Sequence, residues 1–252
     1  MGTREDFSFL QSNHKEAHTK IVLHAIDATS KGVTDLRVYS PDTDVFVLAL
    51  RRYTSLRKNT LFITGTGRSH PDIQLHAIYR ALGPERAAAL QAFHMLIGVD
   101  NNGCFSGKGK ATCWKAFMEA NNKITDCLSQ LRRTASIPSD DTKALIENLV
   151  CQLYLPKTEM FSVSEVRWWL FRKKKAQSER LPPTQAALRQ AILRAHHQAL
   201  VWNNDVVANP TQPSPDNYGW ELHREKWVPI MTTLPSAPQA QKRAVLHKLL
   251  PV

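Results

Sequence analysis

The feature that most constrains the fold of this chain is a short apolar stretch that leads into two carboxylates and then into an apolar run. Residues 36–39 predict a strand, which Pro41 ends. Asp42 and Asp44 follow one residue apart, and residues 45–50 predict a helix. In open α/β folds, functional sites lie at the carboxyl ends of the strands. The segment therefore predicts an α/β fold with an acidic site at one edge of its sheet.

Two interpretations of this Asp-x-Asp pair stay open. Neighbouring carboxylates repel each other, and a hard divalent cation relieves that repulsion while using their oxygens as ligands. Asp is also favoured at helix N-termini, where its side chain accepts hydrogen bonds from free backbone N–H groups. Asp42 and Asp44 are therefore candidate metal ligands or helix caps.

Strands and helices alternate over the first half of the chain. The predicted elements there are a helix over 21–28, a strand at 35–39, a helix to about 53, a strand at 60–64, and helices over 74–82, 85–97 and up to 118. This alternation predicts an α/β unit with a mostly parallel sheet flanked by helices.

After about residue 120 the pattern favours helices. They are predicted at 141–155, 163–179 and 184–207, and Ser162 and Thr184 lie where the N-caps of the last two should be. Loops at 209–217 and 232–239, a small hairpin within 218–230 and a terminal helix at 239–250 are predicted after them. We therefore divide the chain into an α/β domain at 13–120, a helical extension at 121–208, and a Pro-rich loop, hairpin and terminal helix at 209–252.

The chain is strongly basic, with a formal net charge of +11 and a sequence pI of about 9.7. Such a charge suits a polyanionic partner, most often nucleic acid. One short cluster of cations could contact phosphate or serve in nuclear import, or it could be the solvated end of a helix. Its members are Arg172, Lys173, Lys174 and Lys175.

Nothing in the sequence predicts a membrane or secreted protein. No stretch is apolar for long enough to span a bilayer, and residues 1–6 lack the pattern of a signal peptide. The four cysteines are scattered without a C-x-x-C pair, which indicates reduced thiols rather than a zinc site or a disulfide framework. We expect an intracellular protein without a membrane partner, with the nucleus favoured over the cytoplasm.

Further carboxylates complete a candidate metal site. Glu16 and Asp100 lie, like Asp42 and Asp44, at or near predicted element boundaries. If the two predicted strands are parallel neighbours, these boundaries can share one edge of the sheet. Carboxylates gathered in this way hold Mg²⁺ or Mn²⁺ against phosphodiester oxygens, where the metal activates water and stabilises the leaving oxygen. The basic surroundings would hold the nucleic-acid backbone.

A glycine- and lysine-rich turn over 107–110 precedes a predicted helix. Its glycines let the backbone approach a ligand, the helix offers free N–H groups, and Lys108 and Lys110 supply positive charge. The turn could therefore cradle a phosphate, or it could be a plain turn before a helix. Its spacing does not match the Walker A pattern.

In order along the chain, these motifs resemble the C-terminal half of the flap-endonuclease (XPG-type, PIN-like) nuclease domain. The likeness rests on the segments 16–19, 40–44, 98–100 and 107–110, and covers roughly residues 13–120. The sequence is more closely similar to uncharacterised animal proteins, many tied to mobile elements, that carry His-Glu-Glu-Ala-Asp-Thr, Ser-Pro-Asp-Thr-Asp-Val and Gly-Cys-Asp-Thr-Thr motifs. That similarity extends to residues 181–184 and 219–222.

The resemblance implies a PIN-like fold in which Glu16, Asp42, Asp44 and Asp100 bind metal and a basic turn grips the nucleic-acid backbone. His18 stands where the closer group has Asp, and a neutral imidazole binds Mn²⁺ or Zn²⁺ but suits Mg²⁺ poorly. The family's first strand and its early acidic segment would lie upstream of Glu16. We therefore expect a domain incomplete on its N-terminal side, which a missing half or a second chain completes.

The expected function is divalent-metal-dependent hydrolysis of phosphodiesters, with DNA favoured over RNA, in an active or a degenerate form. Glu16, Asp42, Asp44 and Asp100 would be catalytic, with His18 as a further metal ligand. The phosphate contacts would come from Lys108, Lys110, Arg172, Lys173, Lys174 and Lys175. The alternative is a catalytically inactive nucleic-acid-binding or scaffold protein that keeps the nuclease fold. A third reading is a protein-interaction module.

Other conspicuous side chains are interpreted as structural. His24, His76 and His94 fall within predicted helices and are read as core or surface histidines. Trp168, Trp169 and Trp202 are read as packing residues between helices, with stacking on unpaired bases as the alternative.

Overall fold

The computed structural model describes residues 10–65, 71–99, 103–173 and 180–232. Within them the chain is mixed α/β, with most of the regular structure in helices. The elements as far as the first long helix are α1 (Ala17–Ser30), β1 (Arg37–Tyr39), α2 (Thr43–Arg51), a 3₁₀ turn (Tyr53–Ser55), β2 (Leu61–Ile63), β3 (Asp72–Gln74) and α3 (Leu75–Ile97). They are followed by α4 (Lys110–Glu119), α5 (Asn122–Leu131), α6 (Asp140–Tyr154), α7 (Val163–Arg172), α8 (Gln185–Asn203) and the strands β4 (Trp220–His223) and β5 (Lys226–Pro229).

The main sheet has three strands in the order β1-β2-β3. β1 and β2 are parallel, with Val38 opposite Phe62, as the sequence predicts. β3 is antiparallel to β2 and pairs Ile73 with Phe62, so the expectation of a mostly parallel sheet is only partly met. β3 is not predicted from the sequence, because a single apolar residue between two polar ones is too short to reveal an alternating pattern.

Side-chain caps explain where several helices begin. The expected caps Ser162 and Thr184 accept hydrogen bonds from backbone N–H groups in the first turns of α7 and α8. Asn121 does the same for α5, a helix that was not predicted from the sequence. The buried residues of α5 follow a helical repeat and include Ile124, Cys127, Leu128 and Leu131.

The break predicted at residues 83–84 is confirmed, because Gly83 leaves helical geometry and divides α3 into two helical segments that meet at a kink. Gly83 has a φ of 73°, and Pro84 follows it within α3. A positive φ is accessible to glycine at little cost, and proline fits the first turn of the segment that restarts there. The second half of α3 is buried on nearly all sides, with His94 among its buried residues.

One hydrophobic core runs from Val22 in α1 to Trp202 in α8. Trp202, Phe62 and Phe117 are among its largest fully buried side chains. The core draws on residues from both the 13–120 and the 121–208 segments, since α5 and α8 pack against α3. The hairpin expected within 218–230 is present as β4 and β5, and the helix predicted at 239–250 lies outside the described residues.

None of the helices described here is long and apolar enough to cross a bilayer. All four cysteines are free thiols, with Cys104 exposed and Cys113, Cys127 and Cys151 buried.

Candidate metal site

The start of α1 and the start of α2 bring together Glu16, His18, Asp42 and Asp44. Glu16 precedes α1, and His18 lies in its first turn. Asp42 precedes α2, and Asp44 lies in the first turn of that helix, directly after β1. α1 packs against α2, so side chains from the two helix starts face one another.

His18 lies at the centre of this cluster. Its Nε2 is 2.9 Å from Oδ2 of Asp42, and its Nδ1 is 4.0 Å from Oδ2 of Asp44. One ligand atom from each of these three side chains lies within 4.8 Å of the others, a spacing that could hold a metal ion. Nδ1 is also 3.9 Å from Oε2 of Glu16, so a second carboxylate faces the same nitrogen.

The Nδ1 atom of His18 is buried and has no hydrogen-bond partner among the described residues. A buried polar atom without a partner is costly, and nearly all such atoms in proteins are satisfied. Nitrogen and oxygen ligands lie about 2.0–2.2 Å from a Zn²⁺ ion, so two ligands of one ion lie about 3–4 Å apart. The distances from Nδ1 to the Glu16 and Asp44 oxygens, 3.9 Å and 4.0 Å, are close to that spacing.

The other ring nitrogen of His18 contacts Asp42. Imidazoles that bind metals usually donate their second N–H to a carboxylate or carbonyl, which fixes the ring orientation and tautomer. Asp42 is placed to accept such a hydrogen bond, since its Oδ2 is 2.9 Å from Nε2. Asp42 can therefore orient the histidine, or it can bind an ion together with His18 and Asp44, since ligand atoms of these three residues lie within 4.8 Å of one another.

Asp42 caps α2, which confirms the capping interpretation for this residue. Its Oδ1 accepts a hydrogen bond from the backbone N–H of Asp44 at 2.9 Å. The cap uses one carboxylate oxygen and leaves Oδ2 facing His18. The cap thereby fixes the direction in which the second oxygen points.

Glu16 is held by two donors from α8. Gln198 Nε2 donates to Oε1 at 3.1 Å, and the indole N–H of Trp202 donates to Oε2 at 2.7 Å. Trp202 is fully buried, so it packs the helices as predicted and also positions a carboxylate of the site. The sequence offered no sign of this second role, because the two residues are far apart in the chain.

Asp44 is held by His94, a residue that the sequence analysis read as structural. His94 Nε2 is 2.7 Å from Oδ1 of Asp44. Burial alone would raise the pKa of Asp44, but the hydrogen bond with His94 and the charges of His94, His18 and Lys110 outweigh it and lower that pKa. Asp44 is therefore ionised at neutral pH, as a metal ligand must be.

The basic turn over 107–110 lies beside the acidic cluster. Lys110 Nζ is 3.4 Å from the hydroxyl oxygen of Thr43, the residue between the two aspartates. Lys108 Nζ lies 4.8 Å from the centroid of the Tyr154 ring, and burial lowers the pKa of this lysine. Lys110 thus reaches the site, whereas Lys108 is anchored on α6.

The remaining predicted site residues lie elsewhere or outside the described part of the chain. Three of them, Asp100, Lys174 and Lys175, lie outside the described residues. Arg172 and Lys173 are exposed at the end of α7, and no described contact joins them to the acidic cluster.

Comparisons with protein-family profiles, with curated proteins and with solved structures find no match to this chain. The function is therefore inferred from the geometry of the site itself. That geometry is a histidine and three carboxylates at the starts of two packed helices, with a lysine beside them.

Proposed function

We propose that this chain is a divalent-metal-dependent nuclease of the PIN-like, flap-endonuclease type that acts on DNA phosphodiesters, with a nuclear location as part of that proposal. The observation that carries it is the buried, unpartnered Nδ1 of His18, which faces carboxylate oxygens of Glu16 and Asp44. A strand that leads into Asp42 and Asp44 at the start of a helix supports the PIN-like assignment.

His18, Asp42 and Asp44 would hold the ion, and Oε2 of Glu16 faces the same ring nitrogen of His18 as Asp44 does. A bound divalent ion would supply Lewis-acid polarisation of a phosphodiester and an activated water. Of the two ions expected from the sequence, Mn²⁺ fits this set better than Mg²⁺, because imidazole suits the softer transition metals.

The surrounding residues keep this set in place and charged. Trp202 fixes Glu16, and His94 fixes Asp44. Lys110 presents an ammonium group beside Thr43, where it would attract a phosphate oxygen of the substrate. These hydrogen bonds would hold the ligand side chains in place, which supports the proposal of a preorganised metal site.

The test is cleavage of labelled flap, single-stranded and duplex DNA with Mn²⁺, by the wild type and by matched histidine variants. His18→Ala removes the central ligand, whereas His24→Ala removes an exposed histidine from the same helix. We expect Mn²⁺-dependent cleavage that His24→Ala keeps and His18→Ala reduces by about 10²-fold or more, a size typical of lost electrostatic stabilisation. Metal-independent cleavage, or equal activity in both variants, would refute the proposal.

The second candidate is a nucleic-acid-binding protein that keeps the fold without cleaving its ligand. It is favoured by the basic turn and by the net charge of +11, neither of which needs a metal. Binding to DNA in EDTA that weakens steeply with salt, together with no cleavage under any metal, would support it. No salt-sensitive binding would instead favour the protein-interaction reading.

A further inference from the structure

Strand β1 forms a free edge of the main sheet. The strand order is β1-β2-β3, so β1 pairs with β2 on one side only. The backbone N–H of Leu61 donates to the carbonyl of Leu36, and the N–H of Ser40 donates to the carbonyl of Ile63. In the parallel register between them, Val38 also turns its N–H and C=O toward β2.

The main-chain groups of Arg37 and Tyr39 point away from β2, because successive residues of a strand turn their N–H and C=O groups to alternate sides. Within the described part of the chain, no hydrogen bond reaches these groups from another element. Two N–H donors and two C=O acceptors are therefore open along the edge. Such a row is a template on which a further strand can pair.

A groove of about 480 Å³ lies along this edge, between β1 and α1. We call it the β1 groove. Its apolar lining includes Ile21 from α1 and Val38 from β1, and its basic lining consists of Lys20, His24 and Arg37. An added strand would thus find apolar surface beside the open hydrogen-bonding groups.

The charges of the β1 groove favour an acidic partner. Lys20 and Arg37 are exposed, and neither forms an ion pair with another described residue. The lining of the groove includes no carboxylate. Carboxylates on an added strand would meet these cations, whereas a second copy of β1 would add its own Arg37 to a groove that is already basic. A nucleic-acid strand has no peptide N–H and C=O groups with which to extend the sheet.

We propose that the β1 groove binds an extended acidic segment of a partner protein, which joins the sheet as a fourth strand beside β1. Hydrogen bonds to the main chain of Arg37 and Tyr39 would supply affinity, and the basic side chains of the groove would select carboxylates. This interaction surface goes beyond the proposed nuclease function and holds whether or not the metal site cleaves DNA.

The test is fluorescence anisotropy of a labelled, end-blocked peptide of alternating Glu and Val, titrated with the full chain in EDTA. A peptide with Lys in place of each Glu is the charge control. Tyr39→Pro removes an outward N–H that does not pair with β2, so the sheet is kept, and Tyr39→Val is its matched control because it retains that N–H. Arg37→Glu reverses a charge in the groove, and Lys58→Glu does the same at an exposed residue outside it.

We expect saturable binding of the Glu-Val peptide to the wild type and no binding of the Lys-Val peptide. Affinity should fall by about five-fold or more in Tyr39→Pro and in Arg37→Glu, and should stay within about two-fold in Tyr39→Val and Lys58→Glu. Hydrogen-exchange mass spectrometry should show slower amide exchange over residues 36–40 with the Glu-Val peptide bound, which a contact between side-chain charges alone would not produce.

The proposal is overturned if the wild type does not bind the Glu-Val peptide, if both peptides bind equally, or if Arg37→Glu binds the Glu-Val peptide normally. Normal binding by a folded Tyr39→Pro variant, as judged from its thermal melt, would overturn it as well. A wild-type dimer that Tyr39→Pro converts to a monomer would also overturn it, because a second copy would then occupy the edge.

Discussion

Asp205, just after α8, is expected to be the most sensitive charged residue for stability. Its side chain is fully buried and pairs with two arginines. Arg51 is the last residue of α2, and Arg52 follows it. Arg51 is itself only 5% exposed and also donates to the carbonyl of Trp202 at 2.9 Å. The pair therefore ties α2, which carries Asp44, to α8.

Asp205→Asn should destabilise the fold strongly, because it leaves the buried guanidinium of Arg51 without its counter-charge. Burial lowers the pKa of Arg51 to about 10 even though Asp205 opposes that shift, so the arginine stays charged at neutral pH. Removing one partner of a buried ion pair costs about 3–5 kcal/mol. Asn keeps some hydrogen bonds, so we expect about 3 kcal/mol, or a drop in Tm of about 6–12 °C.

The assay is urea unfolding followed by circular dichroism, with a thermal melt beside it. Asp140→Asn is the matched control, since that carboxylate is 82% exposed and pairs with Lys143 at 3.1 Å. An exposed ion pair contributes about 0–1 kcal/mol, so the control should unfold almost as the wild type does. If Asp205→Asn is as stable as Asp140→Asn, the buried pair does not join α2 to α8 as described.

Three further predictions follow from single residues. Trp202→Phe keeps the ring but removes the indole N–H, so calorimetry should show Mn²⁺ affinity falling by about ten-fold; an unchanged affinity would contradict its role. Burial raises the pKa of Cys127 to about 11 and that of Cys151 to about 12, whereas Cys104 is exposed. Mass spectrometry after treatment with iodoacetamide at pH 8 should therefore find Cys104 alkylated and Cys127 and Cys151 unmodified. Rapid alkylation of Cys127 and Cys151 in the folded chain would refute this prediction. Burial lowers the pKa of His196 below its usual 6.5, so on acidification the imidazole is protonated in the unfolded chain before it is protonated in the folded one. The free energy of unfolding should therefore decrease as the pH drops below 6.5. Thermal melts of His196→Gln should show a smaller decrease in Tm over the same pH range.

Local patterns were sufficient for much of the fold. The strand, the Asp-x-Asp pair and the helix after them were all predicted from residues 36–50, and the structure has β1 and α2 there. Ser162 and Thr184 marked the starts of α7 and α8, because a capping hydrogen bond involves only residues two or three apart. The convergence of Asp42 and Asp44 likewise follows from their spacing.

Contacts between distant segments could not be predicted in this way. His94 meets Asp44 across 50 residues, and Trp202 meets Glu16 across 186 residues. Each pairing depends on how whole helices pack, and packing leaves no mark in the spacing of a single sequence. For the same reason His18 could be named from its motif, but the buried, unpartnered state of its Nδ1 required the structure.

The most direct test of the proposed metal site is titration of Mn²⁺ into the purified chain by calorimetry, beside the Asp42→Asn/Asp44→Asn double variant. Asn at position 42 can still accept the capping hydrogen bond, so the variant removes charge and ligands while keeping the start of α2. We predict saturable binding of Mn²⁺ to the wild type and its loss in the double variant. No binding to the wild type, or equal binding to both proteins, would contradict a metal site built on these carboxylates and His18.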